Sequence, residues 1–255
     1  RVEARIDEGA SQQPLSICTR AGYTGWVFTR KTAARVCTGS VSWRGQQFDL
    51  RQLGALAAVD WTAGFMRRET FWNWGSLSCR LPDGRRIGFN LAAGVNETGF
   101  TENGIWLDDQ LIKVDMVDFQ FDRAKPLGPW QLRSADGQVD LQFEPAGTRQ
   151  EKLNALLLAS NFKQHFGQYH GELRLAGETL TLDGAWGLVD INSDLPPPVG
   201  MIASVSRPSV TAWTISSCPG RNASKPKISR RSVAGSDIVP PDDPVMLLLL
   251  GHAAP

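Results

Sequence analysis

The chain has 255 residues, 42% of them hydrophobic and 21% charged, with a formal net charge of +1. This size and balance suit one large β domain or two small ones and set the chain apart from disordered sequences. The near-neutral charge excludes a broad field that would recruit nucleic acid or an acidic membrane surface, so any partner is recognised locally.

Nine tryptophans stand against two tyrosines. Tryptophan packs a large apolar area but leaves one N–H donor to place, which suits an aromatic-lined cavity or a large core. The cysteines, Cys18, Cys37, Cys79 and Cys218, form no C-x-x-C pair and show no metal-ligand spacing. With no secretory signal in sight, the plain reading is reduced thiols in a cytoplasmic protein, although a start at Arg1 leaves room for an upstream segment. The apolar run Val245 to Leu250 is far shorter than the roughly 20 residues of a spanning helix, so no transmembrane segment is expected.

Residues 1–22 read as a lead-in. From Tyr23 onward, β-rich runs alternate with short Gly/Asp/Pro clusters. A short helix is expected over residues 50–58, where Asp49 can cap and Leu50, Leu53 and Leu56 share a side. Arg68 to Leu81, the turn Pro82-Asp83-Gly84 and Arg85 to Glu97 read as a hairpin of two long strands. In its second strand Ile87, Phe89, Leu91, Ala93 and Val95 alternate with small and polar residues, giving one greasy face and one polar face. Further hairpins are expected from Ile105 to Phe121 around Asp108-Asp109-Gln110, and from Trp130 to Phe143 around Ala135-Asp136-Gly137. Glu144-Pro145 and Arg149 would then fix a turn. Glu151 to Phe166 fits either element, with Leu153, Leu156 and Leu157 on a helix face or Leu156, Leu158, Ser160 and Phe162 alternating on a strand, and propensity favours helix. Leu173 to Leu175 and Leu180 to Leu182, joined at Ala176-Gly177-Glu178, make the last pair. Such hairpins point to an all-β, antiparallel barrel or strongly bent sheet over residues 23–187, since closure removes exposed edges. Residues 188–255, rich in Pro, Ser and Arg without periodicity, read as an irregular tail.

Chemistry-bearing residues are densest from Asp60-Trp61 through Arg68-Glu69 and Trp72-Asn73-Trp74 to Asn90, Asn96-Glu97 and Glu102-Asn103. On an extended strand Arg68, Trp72 and Trp74 share one side and Glu69 and Asn73 the other, so the cluster cannot all face one cavity. If the Asn90/Asn96 face lines an interior, aromatic walls with a few polar groups make a ligand pocket. The competing reading has Trp72 or Trp74 as ordinary core and Arg68, Glu69 and Glu97 in structural ion pairs. His165 and His170 fall on opposite strand faces and off a common helix face, which argues against a shared metal site. Neither G-x-S-x-G, G-x-G-x-x-G nor G-x-x-x-x-G-K-[ST] occurs, so no metal or cofactor is implied.

The ordered motifs Asp60-Trp61-Thr62-Ala63-Gly64, Arg67-Arg68-Glu69-Thr70, Trp72-Asn73-Trp74, Gly88-Phe89-Asn90-Leu91, Asn96-Glu97, Glu102-Asn103, Pro129-Trp130, Phe143-Glu144-Pro145 and Asn161-Phe162 together resemble the bacterial domain-of-unknown-function family DUF2804. That family is distantly similar to the lipocalin-like (calycin-like) group of carotenoid hydratases and tocopherol cyclase. The resemblance implies a β-barrel around an apolar ligand and moves Asn154 to His170 from helix to strand, but supplies no established activity. After Gly184-Ala185-Trp186-Gly187 the family pattern continues with an acidic-His segment and a Trp, whereas here Val189-Asp190-Ile191-Asn192 leads into the tail. A change of coding frame near Val189 is the expectation that follows.

Three functions compete. The protein binds an apolar small molecule, a lipid or isoprenoid, with Asp60, Trp61, Arg68, Trp72, Trp74, Asn90, Asn96, Glu102 and Asn103 around it. Alternatively it is a hydratase- or cyclase-like enzyme in which Glu97 or Glu69, the candidate catalytic acids, protonates an isoprenoid double bond beside a tryptophan face. In the third, it is a non-catalytic β module whose tryptophans are core.

Overall fold

The computed structural model describes residues 1–65, 71–94 and 99–193 except positions 8, 10, 126, 156, 157 and 176, together with the backbone of 212–214 and 248–249. Side chains at 151–162, 192 and 193 are not among those described. No helix occurs among the described residues, and all strand pairings are antiparallel.

The first sheet has seven strands. β1 (Val2–Ile6), β2 (Leu15–Ala21), β4 (Gln46–Asp49) and β5 (Leu56–Gly64) all pair with the long β3 (Gly25–Trp43). β3 serves so many neighbours because it bends. Ala34 has φ 57°, Gly39 has φ 118°, and the register with β5 slips between Thr32 and Arg35. Past the slip, β3 turns from β2 towards β1 and β4. Short strands β15 (Ala212–Thr214) and β16 (Leu248–Leu249) extend the β5 side.

The second sheet has nine strands: β6 (Phe71–Arg80), β7 (Arg86–Ala93), β8 (Gly104–Leu107), β9 (Gln110–Lys113), β10 (Val117–Gln120), β11 (Trp130–Ser134), β12 (Val139–Ala155), β13 (Leu158–Leu175) and β14 (Glu178–Ser193). Their order is β10-β11-β12-β13-β14-β6-β7-β8-β9, so consecutive β9 and β10 lie at opposite edges. Only Val114 to Met116 join them, and so short a link spans at most about 14 Å. The edges must therefore approach each other, and the sheet curls into a half-barrel. One face of the curl is filled by Leu77, Ile87, Phe89, Leu91, Leu132, Leu141, Phe143 and Tyr169, all essentially inaccessible. The alternation read in the second hairpin strand is this face: Ile87, Phe89 and Leu91 turn to the core while Gly88 and Asn90 turn away.

The first sheet lies against that other face, and small residues let it in. A Cβ on Gly88 would stand 2.8 Å from Ala33 Cβ and 2.9 Å from Ala34 N, and Ala34 N–H donates to Ser78 Oγ at 3.0 Å. Nearby, Trp106 is enclosed with Leu15, Ala33 and Ala58, its indole N–H donating to Gln13 O at 2.8 Å.

The expected all-β, antiparallel, strongly bent architecture is what the chain adopts, with several local corrections. The helix expected over 50–58 is a single turn. Asp49 Oδ1 does accept from Arg51 N and Gln52 N, but Gly54 at φ 62° ends the turn with Ala55 N–H donating to Leu50 O. From Leu56 the chain follows the ladder of β3, which outweighs a marginal helix propensity. Leu111 to Phe121 is not one strand, since Val114 to Met116 carry the chain between edges. No turn forms at Glu144-Pro145; β12 runs through with a bulge between Pro145 and Gly147, a place where proline is tolerated. The described residues of the stretch from Glu151 to Phe166 are strand, 151–155 in β12 and 158–166 in β13. Cys18 and Cys37 are free thiols, whereas Cys79 is disulfide-bonded, so the expectation of reduced thiols does not hold there. Most of the expected tail lies outside the described residues. No helix among those described is long and apolar enough to cross a membrane.

Candidate functional site

Between the two sheets runs a buried polar seam. Lys31 on β3 stands directly opposite Asp60 on β5. Its Nζ lies 2.8 Å from Asp60 Oδ2 and 3.0 Å from Glu102 Oε2, with the lysine side chain only 6% exposed. Burial alone would pull the ammonium pKa down, but the two carboxylates more than offset that and hold it above its ordinary value. From the β6–β7 side, Trp74 Nε1–H donates to Asn90 Oδ1 at 2.7 Å, and Asn90 Nδ2 donates to Glu102 O at 2.7 Å. Tryptophan, amide and ion triad are thus tied into one network.

A cavity of about 10 Å³ opens here, lined in part by Thr32, Asp60, Trp74, Ser76 and Asn90. That is room for about one water molecule. Thr32 Oγ1 is buried beside it without a hydrogen-bond partner among the described residues. Next to the cavity, Trp74, Ala92 and Leu188 pack with half-buried Trp72, Phe166 and Trp186, so one end of the seam is aromatic and the other ionic.

On the same sheet face the ladder places Arg149, Gln164, Asp190 and Trp74 directly opposite one another across β12, β13, β14 and β6. Asp190 is 2% and Gln164 1% exposed. Burial, with Asp60 nearby, pushes the Asp190 carboxyl up to about 8, against a hydrogen bond from Gln164 and the charge of Arg149. Asp190 Oδ1 and Gln164 Oε1 have no hydrogen-bond partner among the described residues. A carboxyl in this state holds its proton at neutral pH and can donate it or share it.

The structure brings together Asp60, Trp72, Trp74, Asn90 and Glu102 of the residues expected from the sequence. Trp61 is not with them: it sits one residue along β5 from Asp60, on the opposite side, 36% exposed and edge-on to Phe28. Asn103 is buried but works as a clamp, its Oδ1 accepting from Ala92 N–H at 2.6 Å and its Nδ2 donating to Asp115 O at 2.9 Å. Arg68, Glu69, Asn96 and Glu97 lie outside the described residues. His165 and His170 do part company. His165 is enclosed near Trp130 with Nδ1 2.7 Å from Thr148 Oγ1, and His170 pairs with Asp183.

Lys31, Gln164 and Asp190 were given no functional role from the sequence. Asp190 had a signal, a lone acid in Leu188-Val189-Asp190-Ile191, but the boundary drawn at Gly187 set it aside. Lys31, in Thr29-Arg30-Lys31-Thr32, had none.

Fold and seam together define a class: an all-β protein in which a second sheet closes one face of a curled nine-stranded sheet over a buried ionic and aromatic layer. The chain belongs to the family described as Domain of unknown function (DUF2804), whose profile matches residues 1–192. The match begins ahead of Tyr23 and runs past Asp190. No curated protein and no solved structure matches the chain.

Proposed function

We propose that this protein binds a small, largely apolar molecule of lipid or isoprenoid type at the inter-sheet seam, with its body against Trp72 and Trp74 and its polar end towards Asp60 and Asn90. The observation that carries the reading is the Trp74–Asn90 hydrogen bond at the lip of the cavity, where an aromatic cluster meets buried polar groups. Apolar walls with a few fixed polar groups are the usual make-up of such sites. A cavity of about 10 Å³ admits such a molecule only if the sheets part along the seam, so binding is coupled to opening. The barrel-like curl is also in keeping with a lipocalin-like mode of ligand enclosure. Native mass spectrometry of the purified protein, with solvent extraction of whatever co-purifies, tests this. An apolar ligand displaced from a Trp74→Ala variant is the expected result; a well-folded protein without ligand, whose tryptophan emission ignores added isoprenoids, removes the proposal.

A second reading is favoured by Asp190. A hydratase- or cyclase-like enzyme needs a neutral acid beside an aromatic face, and Asp190 next to Trp74 fits that requirement as a further candidate besides Glu97 and Glu69. Turnover of an isoprenoid that survives Asp190→Asn would exclude it.

A further inference from the structure

Asp190 and Gln164 hold two buried oxygens that nothing among the described residues satisfies. Leaving such groups unpaired costs about 1–3 kcal/mol each, and a core that needed only stability would carry mainly apolar residues on this face, as its reverse side does apart from the buried His165. Cross-strand neighbours directly opposed lie about 5 Å apart. Asp190, opposed to Trp74, is therefore within reach of any molecule packed on that indole, and Gln164 is one strand further.

We infer that Asp190 and Gln164 form a recognition point for a hydroxyl group, so that the ligand is an apolar alcohol rather than a hydrocarbon, aldehyde or ketone. The geometry sets the chemistry. Gln164 hydrogen-bonds the Asp190 carboxyl, which leaves Gln164 Oε1 as a pure acceptor. Asp190 Oδ1 is the second open position, and on a protonated carboxyl it can be a donor. A hydroxyl both accepts and donates, so it completes both; a carbonyl can only accept and leaves Gln164 unsatisfied. An ammonium could only donate, and the charge of Arg149 on the same row disfavours it. This inference rests on the proposed binding site and specifies its ligand.

The test uses the full chain and three matched probes, farnesol, farnesal and a farnesene, with tryptophan fluorescence as the readout. Farnesol should bind about tenfold more tightly than the other two, as one neutral hydrogen bond gives. Gln164→Met, similar in shape without the acceptor, should erase that preference while leaving farnesene affinity unchanged. Asp190→Asn is the second variant, should Gln164→Met not fold, and near-ultraviolet circular dichroism reports folding of each. Equal binding of all three probes by the parent protein, as a structural water site would give, overturns the hydroxyl assignment and leaves the binding site standing. Farnesol preference intact in a folded Gln164→Met does the same. Failure of all three probes to bind overturns both.

Discussion

The two faces of the nine-stranded sheet handle burial in opposite ways. On one, Leu77, Phe89, Leu141 and Phe143 are enclosed by other apolar side chains, the one buried phenol is tied down, the Tyr169 hydroxyl donating to Leu188 O at 2.6 Å, and His165 is the exception, its Nδ1 paired with Thr148 Oγ1 but its Nε2 without a partner among the described residues. On the other, Gln164 and Asp190 face the layer where Lys31, Asp60 and Glu102 meet at the second sheet, and Asp190 Oδ1 and Gln164 Oε1 stay unpaired among the described residues. Apolar burial stabilises in proportion to area, whereas buried charge at best breaks even. The first face accounts for the fold, and the second is where a stability argument fails and a functional one is needed.

Mutations can break that contrast directly. Phe143→Ala removes a fully buried ring from the apolar face and should cost about 3–5 kcal/mol in urea unfolding. Lys31→Met should cost about 3 kcal/mol, because it strands Asp60 and Glu102 beside each other without their cation. The sharper test neutralises the whole triad: Lys31→Met with Asp60→Asn and Glu102→Gln should recover most of that loss. If the triple variant is less stable than Lys31→Met alone, the seam contributes to folding as the apolar face does, and the contrast is lost.

What the sequence could reveal divides along the same line. The apolar face was legible because it is periodic: Ile87, Phe89 and Leu91 alternate, and turns such as Pro82-Asp83-Gly84 and Ala135-Asp136-Gly137 punctuate the hairpins where β6–β7 and β11–β12 turn. Local signals failed where long-range pairing decided. Leu50 to Ala58 had a helix cap and a helix face, but β3 lay ready to pair with Leu56 onward. Leu111 to Phe121 looked continuous because nothing in its composition shows that a curled sheet brings both edges to Val114 to Met116. The seam was half legible. Trp74, Asn90 and Glu102 fall within one stretch rich in polar and aromatic residues, but their partners Lys31 and Asp190 come from far along the chain, and only the fold brings them in. The frame change expected near Val189 now carries a narrower prediction: as the family match continues to residue 192, a family-like continuation in another reading frame should begin after that point.

The smallest effect separates the two faces by pH. Asp190 on the polar face titrates near 8, pushed up by burial from an ordinary 3.8. Between those values the folded state binds more protons than the unfolded state, so this group makes stability fall as pH rises, up to about pH 8. His165 on the apolar face is pushed down to about 4 by burial and by Lys163, from an ordinary 6.5. Between those values it is the unfolded state that binds more protons, so this group makes stability rise with pH. The two oppose each other from about pH 4 to 6.5. From 6.5 to 8 only Asp190 of the pair still changes, with Asp60 and Arg149 as the charges acting on it. Unfolding free energy should therefore drop across that window, by no more than about 2 kcal/mol. Asp190→Asn should flatten the drop while His165→Gln leaves it in place. A parent protein equally stable at pH 6.5 and 8 would mean that Asp190 is ionised in the fold, so the polar face would offer its ligand a carboxylate that can only accept.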